Sequence, residues 1–380
     1  MELNLNLPES KTDVLLLLEQ LMKVPAPSNK EKKRADFCKN WLEEQGAEGV
    51  FVDEAYNVIY PYGCEEGKSC ALFMAHLDTV FSEEEPLKIR EQDGRLYAPG
   101  IGDDTANLAI LLVVAKYLAR EKPDLAHGII VSANAGEEGL GNLKGARALL
   151  SRYQKRLDFV VSFDVYLGGI CNRSVGSLRY EIEINTKGGH SYFDFGEPNA
   201  IERMASLIQT LYAYQIPEDG SKTTFNVGEI TGGTSVNTIA QSARILYEIR
   251  SEKTESLLHA KRYFEEVIQK SKEPDVSICY ALLGERPCGQ NLELMSEQEN
   301  LERFARKILK CYFGEQISCY AGSTDANIPH SLGIPAITTG LIMGGGMHTR
   351  QEWIDPDYIE RGIQICEKLI LLYGRGEWRG

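Results

Sequence analysis

The sequence predicts an α/β protein whose mainly parallel sheet is flanked by helices and interrupted by an inserted α+β domain. Three observations lead to this fold class. Helical and strand patterns alternate up to residue 175, a different order occupies residues 176–287, and the first order returns after residue 288. Because such alternation is typical of parallel sheets covered on both faces, we predict a main domain of residues 1–175 and 288–380 around an insert of residues 176–287.

The elements of the main domain follow from hydrophobic periodicity and from turn residues. Apolar side chains at helical spacing predict a helix over residues 11–23, and Asn29 is expected to cap a second helix that runs to about Leu42. We predict strands in this domain at residues 57–62, 69–76, 94–98, 128–133, 159–163 and 336–340. We predict further helices at residues 105–120, 145–153, 297–311 and 358–373.

The insert follows the order strand, helix, strand, strand, helix, strand. We predict its strands at residues 177–187, 223–231, 242–251 and 276–283, and its helices at residues 200–214 and 255–270. In the first strand Leu178, Tyr180, Ile182 and Ile184 alternate with other residues, as expected for a sheet with one buried face. This order is that of a ferredoxin-like unit, and its length suits an independent domain.

Charge and cysteine content argue against several classes of protein. The formal net charge of -14 would repel a phosphate backbone, so we expect no nucleic-acid partner. No apolar run reaches the length of a membrane span, and the acidic N-terminus does not resemble a signal peptide, so we expect no membrane association. The nine cysteines form no CxxC pair, which argues against a thiolate zinc site and indicates reduced thiols. A cytoplasmic location is the prediction that follows.

The first candidate site residues stand where a predicted strand ends. His76 ends the strand at residues 69–76, and the spacing of His76 and Asp78 puts their side chains on one side. Asp78 is then placed to accept the second ring N–H of His76, which would fix the tautomer of a histidine ligand. A His-x-Asp pair taken alone is a chance occurrence more often than a site.

Two pairs of adjacent carboxylates follow along the chain. Asp103 and Asp104 stand at the start of an apolar helix, where the simplest interpretation is that Asp104 caps the helix. Glu137 and Glu138 follow the strand at residues 128–133. Because exposed loops commonly carry paired glutamates, neither pair identifies a site by itself.

The last two candidates are Asp164, after the strand at residues 159–163, and His348, in a glycine-rich segment where backbone can approach a substrate. Each candidate has an ordinary structural explanation when it is taken alone. Their conjunction is informative, because His, Asp or Glu follows several strand ends and a late histidine lies in a glycine-rich loop. Oxygen and nitrogen donors without thiolate suit a centre of two divalent ions, zinc first, with cobalt and manganese as alternatives.

These motifs resemble those of the co-catalytic zinc hydrolases, which include peptidase T, aminoacylase, bacterial glutamate carboxypeptidase and succinyl-diaminopimelate desuccinylase. The resemblance covers nearly the whole chain and implies a zinc-exopeptidase-like catalytic domain. It implies that Asp103 bridges two metal ions and is followed by a cis peptide, that Glu137 is the general base, and that Asp78 orients the first ligand. The metal ligands that it implies are His76, Asp103, Glu138, Asp164 and His348.

The insert resembles the lid domain of the same family. The segment 187–191 resembles the lid histidine motif, and residues 232–237 with Arg250 resemble the substrate-binding asparagine and arginine. The resemblance implies that His190 stabilises the oxyanion and that Asn237 and Arg250 bind the substrate. Arg250 would bind a carboxylate of the substrate. In dimeric members the lid histidine reaches the neighbouring subunit's metals. The outer edge strand of the insert sheet can pair with a copy of itself, so we expect a homodimer through the lid domain. The resemblance then implies that His190 acts in trans; the alternative is that His190 serves its own chain or is only a loop residue.

The chain departs from the family pattern at two places. Asp104 and Thr105 stand where lysine or methionine-lysine is usual, and Val165 stands near a usual glycine or proline, so the subfamily is open. In the family, aspartate at the position of Asp164 accompanies aminopeptidases and dipeptidases, so we predict a hydrolase of small peptides. A deacylase or desuccinylase of N-acyl amino acids is the alternative. A non-catalytic metal- or peptide-binding protein fits less well, because it would have no need of Glu137.

Overall fold

The computed structural model of the protein describes residues 10–82, 87–289, 295–314 and 316–379. The chain divides into two compact units. The main unit comprises Met1–Arg173 and Gln290–Gly380, and the insert unit comprises Ser174–Gly289. The predicted insert, residues 176–287, lies within the insert unit.

Both units contain helices and strands. Among the described residues the helices are α1 (Lys11–Met22), α2 (Lys32–Glu44), α3 (Asn107–Glu121), α4 (Lys144–Tyr153), α5 (Ala200–Tyr212), α6 (Thr254–Lys270), α7 (Met295–Phe313), α8 (Asn327–Ser331) and α9 (Ile359–Gly374). The strands in the same residues are β1 (Phe51–Val52), β2 (Val58–Tyr62), β3 (Cys70–His76), β4 (Arg90–Gln92), β5 (Arg95–Tyr97), β6 (Gly128–Asn134), β7 (Leu157–Phe163), β8 (Gly169–Ser174), β9 (Gly176–Thr186), β10 (Gly189–His190), β11 (Thr223–Gly232), β12 (Thr238–Ile239), β13 (Ser242–Ser251), β14 (Val276–Arg286), β15 (Ser318–Gly322), β16 (Ala336–Thr339), β17 (Met343–Gly345) and β18 (Trp353–Asp355).

The main unit is built around a sheet whose strand order, over the described ranges, is β1-β2-β6-β3-β7-β16-β8-β15. Its centre is parallel, since β3 pairs in parallel with both β6 and β7, and β16 pairs in parallel with β7. The pairs of β1 with β2, β2 with β6 and β16 with β8 are antiparallel. The predicted α/β fold with a mainly parallel sheet flanked by helices is confirmed.

The central strands are buried on both faces because helices cover both faces of the sheet. Phe73 of β3 shares one core with Leu111 of α3 and Ile370 of α9. Its neighbour Leu72 belongs to a second core with Leu149 of α4. Alternate residues of one strand thus face opposite cores, and this arrangement fixes the register of the sheet, because a slip of one residue would exchange the two sets.

The insert unit contains an antiparallel sheet of order β11-β13-β9-β14. Helices α5 and α6 cover its apolar face, where Tyr180 and Ile182 of β9 share a core with Leu207 and Phe264. Apart from the short pair formed by β10 and β12, the chain order is that of the ferredoxin-like unit. The predicted β-α-β-β-α-β order of the insert is confirmed.

The structure differs from the sequence prediction at the start of α2 and in several short strands. Helix α2 begins at Lys32 and not directly after Asn29, which has a φ of 71° and donates its backbone N–H to Glu31. The sequence pattern does not predict four of the short strands, because they lack a sustained apolar alternation; they are β8, β15, β17 and β18. Within the described ranges, none of the helices is long and apolar enough to span a membrane.

Candidate metal centre

The carboxyl ends of the parallel strands β3 and β7 bring three predicted ligands together. His76 is the last residue of β3, and Asp164 follows directly after β7. The Nε2 atom of His76 lies 3.0 Å from Oδ1 of Asp103 and 3.8 Å from Oδ1 of Asp164. All three residues are buried. Parallel strands end at one edge of a sheet, which is why residues far apart in sequence meet here.

Asp103 faces two different histidines with its two carboxylate oxygens. While Oδ1 faces His76, Oδ2 lies 3.1 Å from Nε2 of His348. That same Nε2 atom lies 2.8 Å from Oε1 of Glu138. Asp103 therefore stands between two halves of one group of side chains. The ligand cluster, as we call this group, consists of the predicted ligands His76, Asp103, Glu138, Asp164 and His348.

His348 reaches the cluster from the hairpin of β17 and β18. It is half-exposed, and its backbone has a φ of 61°. A Cβ atom on Gly344 would come within 2.5 Å of the ring of Tyr166 and 2.6 Å of the backbone oxygen of Trp353. The glycine at position 344 is therefore required by close packing of the hairpin.

Asp78 supports the loop of the two adjacent glutamates. Its carboxylate accepts the backbone N–H groups of Glu137 and Glu138, each at 3.0 Å, and the hydroxyl of Ser28 at 2.8 Å. The Nδ1 atom of His76 lies 2.9 Å from the backbone oxygen of Asp78 and 3.6 Å from its Oδ1. Burial opposes ionisation of Asp78, but the hydrogen bond and charge of His76 outweigh it and lower the pKa. Asp78 thus contacts His76 chiefly through its carbonyl, because its carboxylate binds the loop amides.

Asp104 fixes the backbone beside the cluster and does not cap a helix. Its Oδ2 accepts the backbone N–H of His76 at 2.8 Å, and its Oδ1 accepts the side-chain amide of Asn107 at 2.7 Å. No side-chain hydrogen bond caps the irregular turn Ile101–Ala106 or the helix α3 that follows it. The peptide bond between Asp103 and Asp104 is cis, as the resemblance implies.

Glu137 lies beside the cluster. Its carboxylate and donor atoms of His76 and Asp164 form a set whose members all lie within 4.8 Å of one another. A second set with the same limit contains His76, Asp103 and Glu138. This geometry suits two roles for Glu137, a base next to the centre or an additional ligand.

Carboxylates outnumber cationic groups in the cluster. In the part of the chain that the structure describes, the ion-pair partners of Asp103, Glu138 and Asp164 are histidines, not lysines or arginines. Hydrogen bonds to Asp103 and Glu138 raise the pKa of His348 to about 10, and burial raises the pKa of Glu138. Together with Glu137 the cluster offers four carboxylates, whose full charge two divalent cations would balance. Carboxylate and imidazole donors without thiolate fit such ions.

Two buried carboxylates near the site are absent from the sequence prediction. Asp325 follows β15, accepts the side-chain amide of Asn134 at 2.6 Å, and has a pKa raised by burial to about 7. Glu352 precedes β18 and is fully buried. Other candidates are identified because they follow strands that the sequence predicts. Asp325 and Glu352 have no such signal, because the sequence pattern does not predict the strands beside them, β15 and β18.

In the insert unit His190 and Asn237 are neighbours. His190 pairs with Thr238 across the short strands β10 and β12, and Asn237 directly precedes Thr238. Both predicted site residues are exposed. The Nδ1 atom of His190 accepts the backbone N–H of Tyr192 at 3.2 Å. The ring proton of neutral His190 is therefore on Nε2, where it can be donated.

Arg250 does not lie with these two residues. It pairs with Ser177 at one end of the ladder between β9 and β13, whereas Asn185 and Ser242 pair at the end next to His190. At about 3.3 Å per residue, the strand positions of Arg250 and Ser242 are roughly 26 Å apart. The guanidinium of Arg250 also donates to both oxygens of Glu248, at 2.6 and 3.0 Å.

The chain matches a known family over most of its length. The profile of peptidase family M20/M25/M40 matches residues 72–372. Carboxypeptidase G2 of Pseudomonas sp. (strain RS-16) is 26% identical over 320 residues, which cover 80% of this chain and 74% of that protein. Acetylornithine deacetylase of Buchnera aphidicola subsp. Schizaphis graminum is 24% identical over 389 residues, which cover 93% of this chain and 96% of that protein.

Solved structures share the fold at low sequence identity. A tripeptidase from Staphylococcus aureus superimposes with a TM-score of 0.75 at 20% identity, over 96% of this chain and 99% of that one. A Bacillus subtilis protein described as a dinuclear metal-binding peptidase of the M20 family gives a TM-score of 0.62 at 18% identity, over 96% of this chain and 98% of that one. With the family profile matched over residues 72–372, the chain belongs to peptidase family M20/M25/M40 and is a metal-dependent hydrolase of amide bonds.

Proposed function

We propose that the protein hydrolyses small peptides, as an aminopeptidase or dipeptidase, with two divalent ions held by the ligand cluster. The position of Asp103 carries this proposal, because its two oxygens face different histidines at 3.0 and 3.1 Å. Each of these two oxygens would hold one of the two divalent ions. His76 and Asp164 would hold one ion. His348 and Glu138 would hold the other.

Zinc is the metal that we propose, with cobalt and manganese as alternatives, because the donors are imidazoles and carboxylates. When bound, two such ions would lower the pKa of the attacking water and polarise the amide carbonyl. Glu137 would accept a proton from the attacking water as its oxygen bonds to the carbonyl carbon, and would deliver that proton to the leaving nitrogen as the C–N bond breaks. Asp78 keeps this base in position through the 3.0 Å hydrogen bond from the backbone N–H of Glu137.

The insert unit supplies the remaining roles. The Nε2 proton of His190 suits donation to the negative oxygen that develops on the substrate carbonyl. Asn237 adds hydrogen-bonding groups beside it. The forked donors of Arg250 suit a substrate carboxylate, which would replace Glu248 as their partner.

We propose a homodimer in which His190 acts in trans. The support is the length of β13 between Arg250 and Ser242, about 26 Å, with Ser242 at the end of the sheet next to His190, whereas a dipeptide spans only about 7 Å. One insert unit is therefore too long for both groups to meet the same small substrate. A two-fold assembly removes this conflict, because the arginine of one subunit and the histidine of its partner would then serve one site.

The outer strands of the insert sheet offer edges for such an assembly. Strand β11 is interrupted by a register shift between Val227 and Glu229, and β14 by one between Leu282 and Gly284. Register shifts discourage indiscriminate edge pairing. The uninterrupted runs at residues 223–227 and 276–282 remain long enough to pair with a second copy.

A second candidate function is the removal of an acyl group from an N-acyl amino acid by the same centre. The acetylornithine deacetylase relative supports it, because its alignment covers 93% of this chain. The carboxypeptidase and tripeptidase similarities, together with aspartate at position 164, favour peptides. Our proposal also includes a cytoplasmic location without nucleic-acid or membrane partners, supported by the net charge of -14 and nine unpaired cysteines.

The two functions differ in the substrate that the zinc-loaded protein prefers. The test compares kcat/KM for di- and tripeptides with free amino termini against N-acetyl and N-succinyl amino acids of the same side chains. We expect the best peptide to exceed the best acyl substrate at least about tenfold, a difference of about 1.4 kcal/mol in transition-state stabilisation. A preference for acyl amino acids would establish the deacylase instead. Turnover of neither class would contradict both.

A further inference from the structure

Glu352 is bound to the turn that carries Asp103. Its Oε2 accepts the backbone N–H of Gly100 at 2.7 Å. Its Oε1 accepts the backbone N–H groups of Gly102 at 3.0 Å and of Asp103 at 2.7 Å. The hydroxyl of Tyr166 donates to the same Oε1 at 3.2 Å. One fully buried carboxylate therefore holds three amide groups of this turn, including that of the residue proposed as the bridge.

Glu352 also belongs to the segment that carries His348, which lies four positions earlier in the sequence. The next residue, Trp353, begins β18, which pairs with β17 and β5. The backbone oxygen of Glu352 accepts the N–H of Ala98 at 3.1 Å. Through Glu352, the segment that delivers His348 is thus joined to the turn that delivers Asp103.

The surroundings of Glu352 leave little room for another arrangement of the turn. A Cβ atom on Gly102 would lie 2.6 Å from the ring of Tyr166 and 3.0 Å from Oε1 of Glu352. Gly100 has a φ of 72°, and a Cβ atom there would lie 2.7 Å from a methyl group of Thr79. Because both glycines are in such close contact, a displaced Glu352 would displace the turn with it.

We infer that Glu352 is a positioning residue that sets the distance between Asp103 and His348, and thereby the affinity for the second metal ion. This inference rests on the proposed two-metal function. The hydrogen bonds of the Glu352 side chain go to backbone N–H groups and to Tyr166, so the residue acts through the turn and not as a ligand. Removing one acceptor oxygen of Glu352 should let the backbone of Asp103 move, while all the proposed metal ligands stay unchanged.

Two substitutions separate the length of the Glu352 side chain from its acceptor atoms. Glu352→Gln keeps the length but turns an NH₂ group towards a backbone N–H, and Glu352→Asp keeps the charge but is too short to reach all three amides. We expect both to weaken binding of the second ion by about 10- to 100-fold, the usual effect of losing a group that orients a ligand. Tyr166→Phe removes one hydrogen bond to Glu352 and should weaken it by about twofold to tenfold.

The experiment measures cobalt binding to the full-length, metal-free protein by calorimetry, and magnetic coupling between the ions by electron paramagnetic resonance. Asp219→Asn is the matched control, because Asp219 also accepts a backbone N–H, that of Ser221 at 2.8 Å, within the insert unit. Wild type and control should bind two coupled cobalt ions. Glu352→Gln should bind the second ion more weakly and lose the coupled signal at two equivalents.

Thermal unfolding of each metal-free variant shows whether the variant is folded. If Glu352→Gln is not folded, Tyr166→Phe takes its place in the comparison with wild type. Cobalt affinities and spectra equal to wild type in the folded variants would overturn the inference about Glu352. A different result, wild-type protein that never binds two cobalt ions, would overturn the proposed function on which the inference rests.

Discussion

The ligand cluster of the main unit and the proposed substrate residues of the insert unit come from different kinds of sheet. In the main unit the cluster lies at the carboxyl ends of parallel strands, with Asp103 at 3.0 Å from His76 and 3.1 Å from His348. In the insert unit His190 follows the carboxyl end of β9, whereas Arg250 is at the carboxyl end of β13, which runs antiparallel to β9.

The direction of the strands decides whether one chain can bring each set of residues together. Parallel strands deliver their carboxyl ends to one edge, so residues from distant parts of the sequence converge without help from another molecule. Neighbouring antiparallel strands deliver theirs to opposite edges. The ligand cluster is therefore formed within one unit, while His190 and Arg250 need either separate roles or a second subunit.

Substitutions beside the ligand cluster should change activity most and should distinguish the two adjacent glutamates. We expect Glu137→Gln to lower kcat by about 10²–10⁴-fold, because it removes a positioned proton acceptor, while metal content remains near that of wild type. Glu138→Gln should instead reduce the bound metal to about one ion per chain, because it removes a ligand of one ion. Metal content and kcat measured on both variants make each the control for the other. Equal loss of metal in both would show that Glu137 is a ligand.

The next effect tests whether the insert unit is completed by a second copy. His190→Ala and Glu137→Gln proteins, each inactive alone, should regain about a quarter of wild-type activity after equal mixing and random subunit exchange, because half of the dimers are mixed and each has one intact site. The mixing is followed by peptide hydrolysis, and exchange is verified with subunits of different mass. Exchange without recovery would show that His190 serves its own chain.

The smallest effect concerns Arg250 at the far end of the sheet. We expect Arg250→Ala to lower kcat/KM by about 10- to 100-fold on peptides with a free carboxyl terminus, because a charge-assisted hydrogen bond is lost, and to have little effect on their amidated forms. Arg179→Ala is the matched control, since Arg179 also pairs with Glu248, at 3.0 Å. The same loss on free and amidated peptides would contradict a role in binding the substrate carboxylate.

The sequence predicts the parts of this protein that depend on strong local patterns. The long apolar strands and helices have clear periodicity, and the acidic residues after β3, β6 and β7 predict a site because parallel strand ends converge. The role of the Asp78 carboxylate, which binds the loop amides of Glu137 and Glu138, is not visible in sequence spacing. This role depends on the contact between the loop after β3 and the loop after β6.

Other features depend on contacts between distant segments that have no periodic signature. Glu352 holds the Asp103 turn from a segment about 250 residues away in sequence, and the short strand beside it has too few residues for a pattern. The ion pair of Arg250 with Glu248 is equally hidden, because a spacing of two places side chains on one face but does not say which partner they choose.

Counting zinc during reactivation shows whether the ligand cluster holds two catalytic ions. The full-length protein is freed of metal with a chelator, and bound zinc and peptide turnover are then measured together as zinc is returned. We predict no turnover in the metal-free protein and full recovery as bound zinc approaches about two ions per chain. Full turnover by protein that has been shown to contain no metal would contradict the two-metal proposal.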